Sequence, residues 1–135
     1  MKITEDQLEQ LCIEWFKGIG YDYVCGYEIA PGEVAAERSD YHQIVLHDRL
    51  VSRLEVINPH IPVATLELVA IQVGKPETPI LIKNNKAFHQ LLLEGVKVEY
   101  KDKNGEEKTD YVQLIDFSNV DNNQFLVVNQ YTITG

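Results

Sequence analysis

Apolar residues recur along this chain in two periods, and the switches between them divide it into elements. Leu8, Leu11, Cys12, Trp15, Phe16 and Ile19 follow the spacing of a helix with one apolar face. Thr4-Glu5-Asp6-Gln7 reads as a capping box, with Thr4 as N-cap and Gln7 reaching back, and Gly18 or Gly20 closes the helix. Tyr21 to Gly26 is a short strand or extended segment, and Glu28 to Glu33, around Pro31-Gly32, is loop. Ser39 caps a second helix from Asp40 to about Ile57, with Ile44, Leu46, Leu50, Val51, Leu54 and Ile57 facing inward, and Asn58-Pro59 stops it. Pro62 opens a third helix carrying Leu66, Val69, Ala70 and Val73 before Gly74. After the break from Pro76 to Pro79, Ile80 to Leu93 reads as a fourth, closed by Gly95.

Beyond Gly95 the period falls to two. Val96, Val98 and Tyr100 alternate with Lys97, Glu99 and Lys101 as a half-exposed strand should, and Asn104-Gly105 marks a hairpin. Two further apolar runs, Tyr111 to Phe117 and Phe125 to Ile133, flank a polar turn from Ser118 to Gln124 and predict neighbouring strands of one sheet. Phe125 to Val128 is continuously apolar, which predicts a central strand covered on both faces. The pattern therefore implies an α+β (α/β-like) fold, one helix, a short strand, three more helices and then a meander of strands, in a single domain over residues 1–135.

Charge narrows the function classes. A formal net charge of −9 lacks the basic excess of a free-standing nucleic-acid binder, so the chain alone is expected to bind DNA weakly. No apolar run reaches the ~18 to 20 residues of a membrane helix and no signal-type stretch follows Met1-Lys2, so a cytoplasmic location is expected. Cys12 and Cys25 do not make a disulfide framework and are expected to be reduced thiols.

Candidate chemistry is sparse. His42, His47, His60 and His89 are not spaced as a ligand set, and Gly-rich phosphate loops, nucleophile elbows and Cys-x-x-Cys pairs are absent. Glu99 and Lys101 form a Glu-x-Lys on one strand face, as a metal-dependent nuclease requires, but the only nearby second carboxylate is Glu77, and the alternation reads as a solvent face. Glu9 lies one turn before Cys12, beside the apolar stripe, where a carboxylate could reach the rim of a sheet-borne site.

Several stretches taken together resemble the N-terminal region of the R (restriction and DNA-translocating) subunit of Type I restriction enzymes. They are Thr4 to Glu9 leading to Gly20-Tyr21-Asp22-Tyr23, Glu37-Arg38-Ser39-Asp40-Tyr41, Ile57-Asn58-Pro59, Phe88-His89, Gly95-Val96 and the run Val112 to Gln130 with Val127-Val128-Asn129-Gln130. The resemblance implies part of a PD-(D/E)xK restriction-endonuclease-like fold, a mixed sheet with about four helices, within a longer protein that cleaves double-stranded DNA non-specifically with Mg²⁺ after ATP-driven translocation. It also implies methyltransferase (M) and specificity (S) subunits as partners. The family's metal-holding Asp and Glu-x-Lys follow the strand that ends in Asn129-Gln130-Tyr131-Thr132, so the catalytic triplet is expected beyond Gly135 and this stretch is expected to be catalytically silent scaffold, with neither Mg²⁺ nor ATP bound. Glu9 matches a helix glutamate that such nucleases sometimes use near the metal, which makes it a weak, supporting candidate.

The alternative is a stand-alone acidic interaction module that docks to a methyltransferase or motor partner. Under the restriction reading, a central strand with an unpaired edge predicts self-association, because its free backbone donors and acceptors seek partners. Sedimentation of the purified chain is expected to show concentration-dependent association, and a clean monomer at high concentration would contradict it.

Overall fold

The computed structural model describes residues 2–75 and 78–135, which leaves Glu77 outside the described residues. The fold is α+β, and the chain divides into two compact units, Met1–Ile44 with Gln124–Gly135 and Val45–Asn123.

In the first unit, helix α1 (Glu5–Gly18) begins with the anticipated capping box: Gln7 N–H donates to Thr4 Oγ1 at 3.2 Å, and Thr4 N–H to Gln7 Oε1 at 3.0 Å. Strand β1 (Asp22–Cys25) follows, and it pairs in parallel with β4 (Leu126–Asn129), Asp22 opposite Leu126 and Cys25 opposite Asn129. This corrects the expected sheet. The last apolar run is half-buried and lies beside β1, in a different sheet from the strand that precedes it in sequence. The buried face of α1 also differs from the predicted stripe. Ile13 is buried with Glu9 and Cys12 half-covered beside it, while Leu8, Trp15 and Ile19 remain exposed. A helix laid on only two strands covers a narrow stripe, and Phe16, Tyr21 and Phe125 close its end with ring centroids 5.0 and 5.4 Å apart.

Residues 39–44 are loop, not the start of a helix. Asp40 Oδ1 accepts the amides of His42 and Gln43 as an N-cap would, but Ser39 is tied to the Gln43 side chain, and Tyr41 O accepts Thr134 N–H. Ile44, expected inward, is exposed.

The second unit holds α2 (His47–Ile57), α3 (Val63–Val73), α4 (Leu81–Glu94) and the antiparallel hairpin β2 (Val96–Lys101) with β3 (Glu107–Val112). Its core is Val51 and Leu54 of α2, Ile61 of the connection to α3, Leu66, Val69 and Ala70 of α3, and Val96 and Val112 of the hairpin. The hairpin forms where Asn104-Gly105 predicts it, with Gly105 at φ 79 and Asp102 Oδ1 accepting the amides of Asn104 and Glu106. β3 stops at Val112 because Asn58, almost fully buried, takes over the pairing. Its Oδ1 accepts Gln113 N–H at 2.8 Å, and its Nδ2 donates to Gln113 O at 2.9 Å and Leu54 O at 3.1 Å. Beyond it, Asp116 Oδ1 accepts the amides of Ser118 and Asn119 and its Oδ2 the Asn122 amide group, so the predicted Tyr111–Phe117 strand is in its second half a side-chain-organised loop.

Gly26, just after β1, is required by close approach, since a Cβ there would meet the backbone carbonyl oxygens of Gln130 and Asn129. Gly26→Ala is expected to destabilise the first unit by about 1–3 kcal/mol in chemical denaturation. Gly18→Ala, at a helical position with open space around it, is expected to be neutral or stabilising by up to about 1 kcal/mol. Equal midpoints for the two variants would refute the close-approach account.

Candidate functional site

The carboxyl ends of two parallel strands converge where ligand sites commonly form in parallel sheets. Here β1 and β4 end together, and polar side chains from three segments gather there. From β4 come Asn129 and, directly after it, Gln130; from β1 and the turn beyond it come Tyr23 and Tyr27; from α1 comes Glu9. Gln130 Nε2 donates to both carboxylate oxygens of Glu9, at 3.0 and 3.2 Å, and Gln130 Oε1 accepts Tyr27 OH at 3.0 Å. Beside this pair, Tyr23 OH donates to Asn129 Oδ1 at 2.8 Å.

Backbone geometry places Gln130. Among the described residues it is the one non-glycine residue at positive φ, at 52°. Left-handed backbone is uncommon for such residues and is held by the surroundings. The surroundings here are Gly26, whose missing Cβ admits the Gln130 carbonyl, and Gly26 N–H, which donates to Asn129 O at 2.8 Å. The strand thus turns sharply at its end and the amide side chain meets the carboxylate of α1.

Chemically this is one carboxylate fixed by a neutral donor, with amide and phenol oxygens around it. A Mg²⁺ site needs octahedral oxygen coordination and usually two carboxylates or a substrate phosphate, and no group of three His, Cys, Asp or Glu among the described residues could hold a metal. The cluster by itself therefore does not fit a metal centre; Glu9 can contribute one ligand to such a centre.

Of the residues singled out in the sequence, Glu9 is brought into this cluster. Glu99 and Lys101 are exposed on the outer face of β2, opposite Thr109 and Glu107. Of the histidines, His60 pairs with Asp110 at 2.9 Å on the surface of the second unit, and His42 bonds Thr134 O. Sequence reasoning missed the roles of Tyr23, Tyr27, Asn129 and Gln130. The available signal was a pair of amide residues stopping an apolar strand.

A family model described as Type I restriction enzyme R protein N terminus matches residues 2–135. The chain belongs to that family. It is 37% identical over 137 residues to a Methanocaldococcus jannaschii protein provisionally named as the MjaIXP endonuclease subunit of a type I restriction enzyme, covering 98% of this chain and 12% of that protein. It is 32% identical over 131 residues to the Haemophilus influenzae Type I restriction enzyme HindI endonuclease subunit, covering 97% of this chain and 12% of that one. The chain thus spans about an eighth of the length of these relatives. No solved structure matches it. No helix among the described residues is long and apolar enough to cross a membrane.

Partial burial, reinforced by Cys25 and Glu28, raises the Tyr23 pKa above its ordinary value. Burial raises that of Tyr131 as well, against the pull of Arg38. A raised folded-state pKa gives stability that is complete below about pH 10 and lost as pH rises through the folded value. Tyr23→Phe is expected to lower stability at neutral pH by about 1 kcal/mol and to flatten the alkaline decline of the urea midpoint. An unchanged alkaline slope would remove Tyr23 from the linkage.

Proposed function

We propose that this chain is the opening part of the endonuclease region of a Type I restriction R subunit, in which it scaffolds a PD-(D/E)xK-type site and supplies Glu9 to its margin. The full-length protein then cleaves double-stranded DNA with Mg²⁺ after ATP-driven translocation, in complex with methyltransferase and specificity subunits. Family membership over residues 2–135 supports the restriction lineage, and both named relatives are endonuclease subunits. It also weighs against an interaction module with no restriction ancestry.

The observation that carries a site role for Glu9 is its two-oxygen bond to Gln130 at the carboxyl end of β4. A carboxylate held in one orientation loses less freedom when a cation or a metal-bound water arrives. Further carboxylates must complete the ligand set, since one is not enough for Mg²⁺.

In the full-length R subunit, Glu9→Gln and Gln130→Ala are each expected to lower Mg²⁺-dependent DNA cleavage by about 10–100-fold, the range for residues that support metal ligands, while leaving ATP hydrolysis unchanged. Unaltered cleavage in both variants would remove the cluster from the nuclease site. The 135-residue chain alone is expected to leave plasmid DNA intact with Mg²⁺, and cleavage abolished by Glu99→Ala would transfer the chemistry to the β2 face.

A further inference from the structure

The first unit contains three basic residues, Lys2, Lys17 and Arg38, against nine acidic ones, and one of the three is buried. Arg38 is 4% exposed. Its Nη1 donates to Gln43 O at 3.1 Å and Thr132 O at 2.9 Å. The guanidinium carbon lies 4.0 Å from the Tyr131 ring centroid and 5.6 Å from that of Tyr41. Nε and Nη2, both buried, have no hydrogen-bond partner.

Arginine cannot escape burial by losing its proton, so the charge stays and the two N–H groups keep their demand for acceptors. The two unpartnered nitrogens form one edge of the guanidinium. Their donors run side by side at the spacing of the two oxygens of a carboxylate. The surrounding cradle is built in place: Asp40 Oδ1 holds the loop amides of His42 and Gln43, Tyr131 OH donates to Ile44 O, and Thr134 N–H donates to Tyr41 O. The Asp40 carboxylate is thereby engaged with backbone.

We propose that the Nε–Nη2 edge of Arg38 is a receptor for one carboxylate, taken bidentately between the Tyr131 and Tyr41 rings. A carboxylate suits the edge better than a nucleic-acid phosphate. The phosphodiester brings a sugar on each side, which a buried edge cannot admit, and the acidic excess of this unit repels a polyanion. Tyr41, 40% exposed, is the ring whose displacement opens the edge. This site is independent of the nuclease reading and of Glu9.

The chain has three arginines, Arg38, Arg49 and Arg53, so their side-chain Nε–H resonances can be assigned in an arginine-labelled sample. Titration of the 135-residue chain with sodium formate, at ionic strength held constant with sodium chloride, is expected to move the Arg38 Nε–H resonance downfield in a saturable way and to raise the melting midpoint. Arg49 and Arg53 should not follow, and Arg38→Lys, which cannot form the bidentate pair, should abolish the formate-dependent rise. An Arg38 resonance that moves no more than the other two, or that responds equally to sodium phosphate, overturns the proposal; because this readout uses the wild-type chain, it stands even if the lysine variant does not fold. In the full-length R subunit the same thermal measurement separates the sources. A formate response that persists points to a free small carboxylate, whereas destabilisation by Arg38→Lys with no formate response points to an aspartate or glutamate side chain of the same protein.

Discussion

The parallel pairing of β1 with β4 is the constraint on which the first unit depends. It joins Asp22–Cys25 to Leu126–Asn129, segments from opposite ends of the chain, so its entropy of closure is met only when both ends are held by more than a ladder. Four residue pairs in two strands are marginal by themselves. The additional holding comes from Ile13 and the Phe16–Tyr21–Phe125 rings on one side, and from Arg38 bonded to Thr132 beyond β4. Each polar contact at the strand ends, Glu9 with Gln130 and Tyr23 with Asn129, exists only once that ladder is made.

Asn58 has the corresponding role in the second unit, by a different route. A buried amide in an apolar core is costly unless its donors and acceptor are satisfied, and Asn58 satisfies them on Leu54 and both backbone groups of Gln113. It ends α2 and β3 at once, which no apolar residue of that size would do. The Asp116 network then supplies the amides of the following loop with acceptors, and hydrogen bonding to those amides lowers the Asp116 pKa. The loop is therefore held by an ionised carboxylate.

These two cases show what was legible in the sequence. Helices were readable where the signal is local: the Thr4 capping box, Pro62 before α3 and Gly95 after α4 are each decided within a turn of the chain. Strand pairing was not, because Phe125–Val128 has the same apolar pattern whether it lies beside β3 or β1, and the choice is made by residues distant in sequence. Residues 39–44 misled for a subtler reason. Asp40 makes the bonds of an N-cap, so the local chemistry is right, but pairing of Tyr41 with Thr134 holds the segment as loop. Glu9 was singled out by its place beside an apolar stripe, though the stripe actually buried is Ile13's. Gln130 was unreadable, since its orientation depends on a left-handed turn permitted by Gly26.

The first unit holds the anion of Glu9 and the cation of Arg38 in fixed positions, and neither is neutralised by the other. Glu9 is oriented by the neutral amide of Gln130, and Arg38 by neutral carbonyls and ring faces. Had the fold needed these charges only for stability, pairing a carboxylate with a guanidinium would satisfy both more fully than neutral partners do. Neutral partners fix position while leaving charge uncompensated, which is the condition a group must meet to attract an opposite charge from outside. For Glu9 the proposed function makes that charge a cation at the end of the parallel strands. For Arg38 it is a carboxylate, and the buried Nε–Nη2 edge defines the direction from which that carboxylate must come.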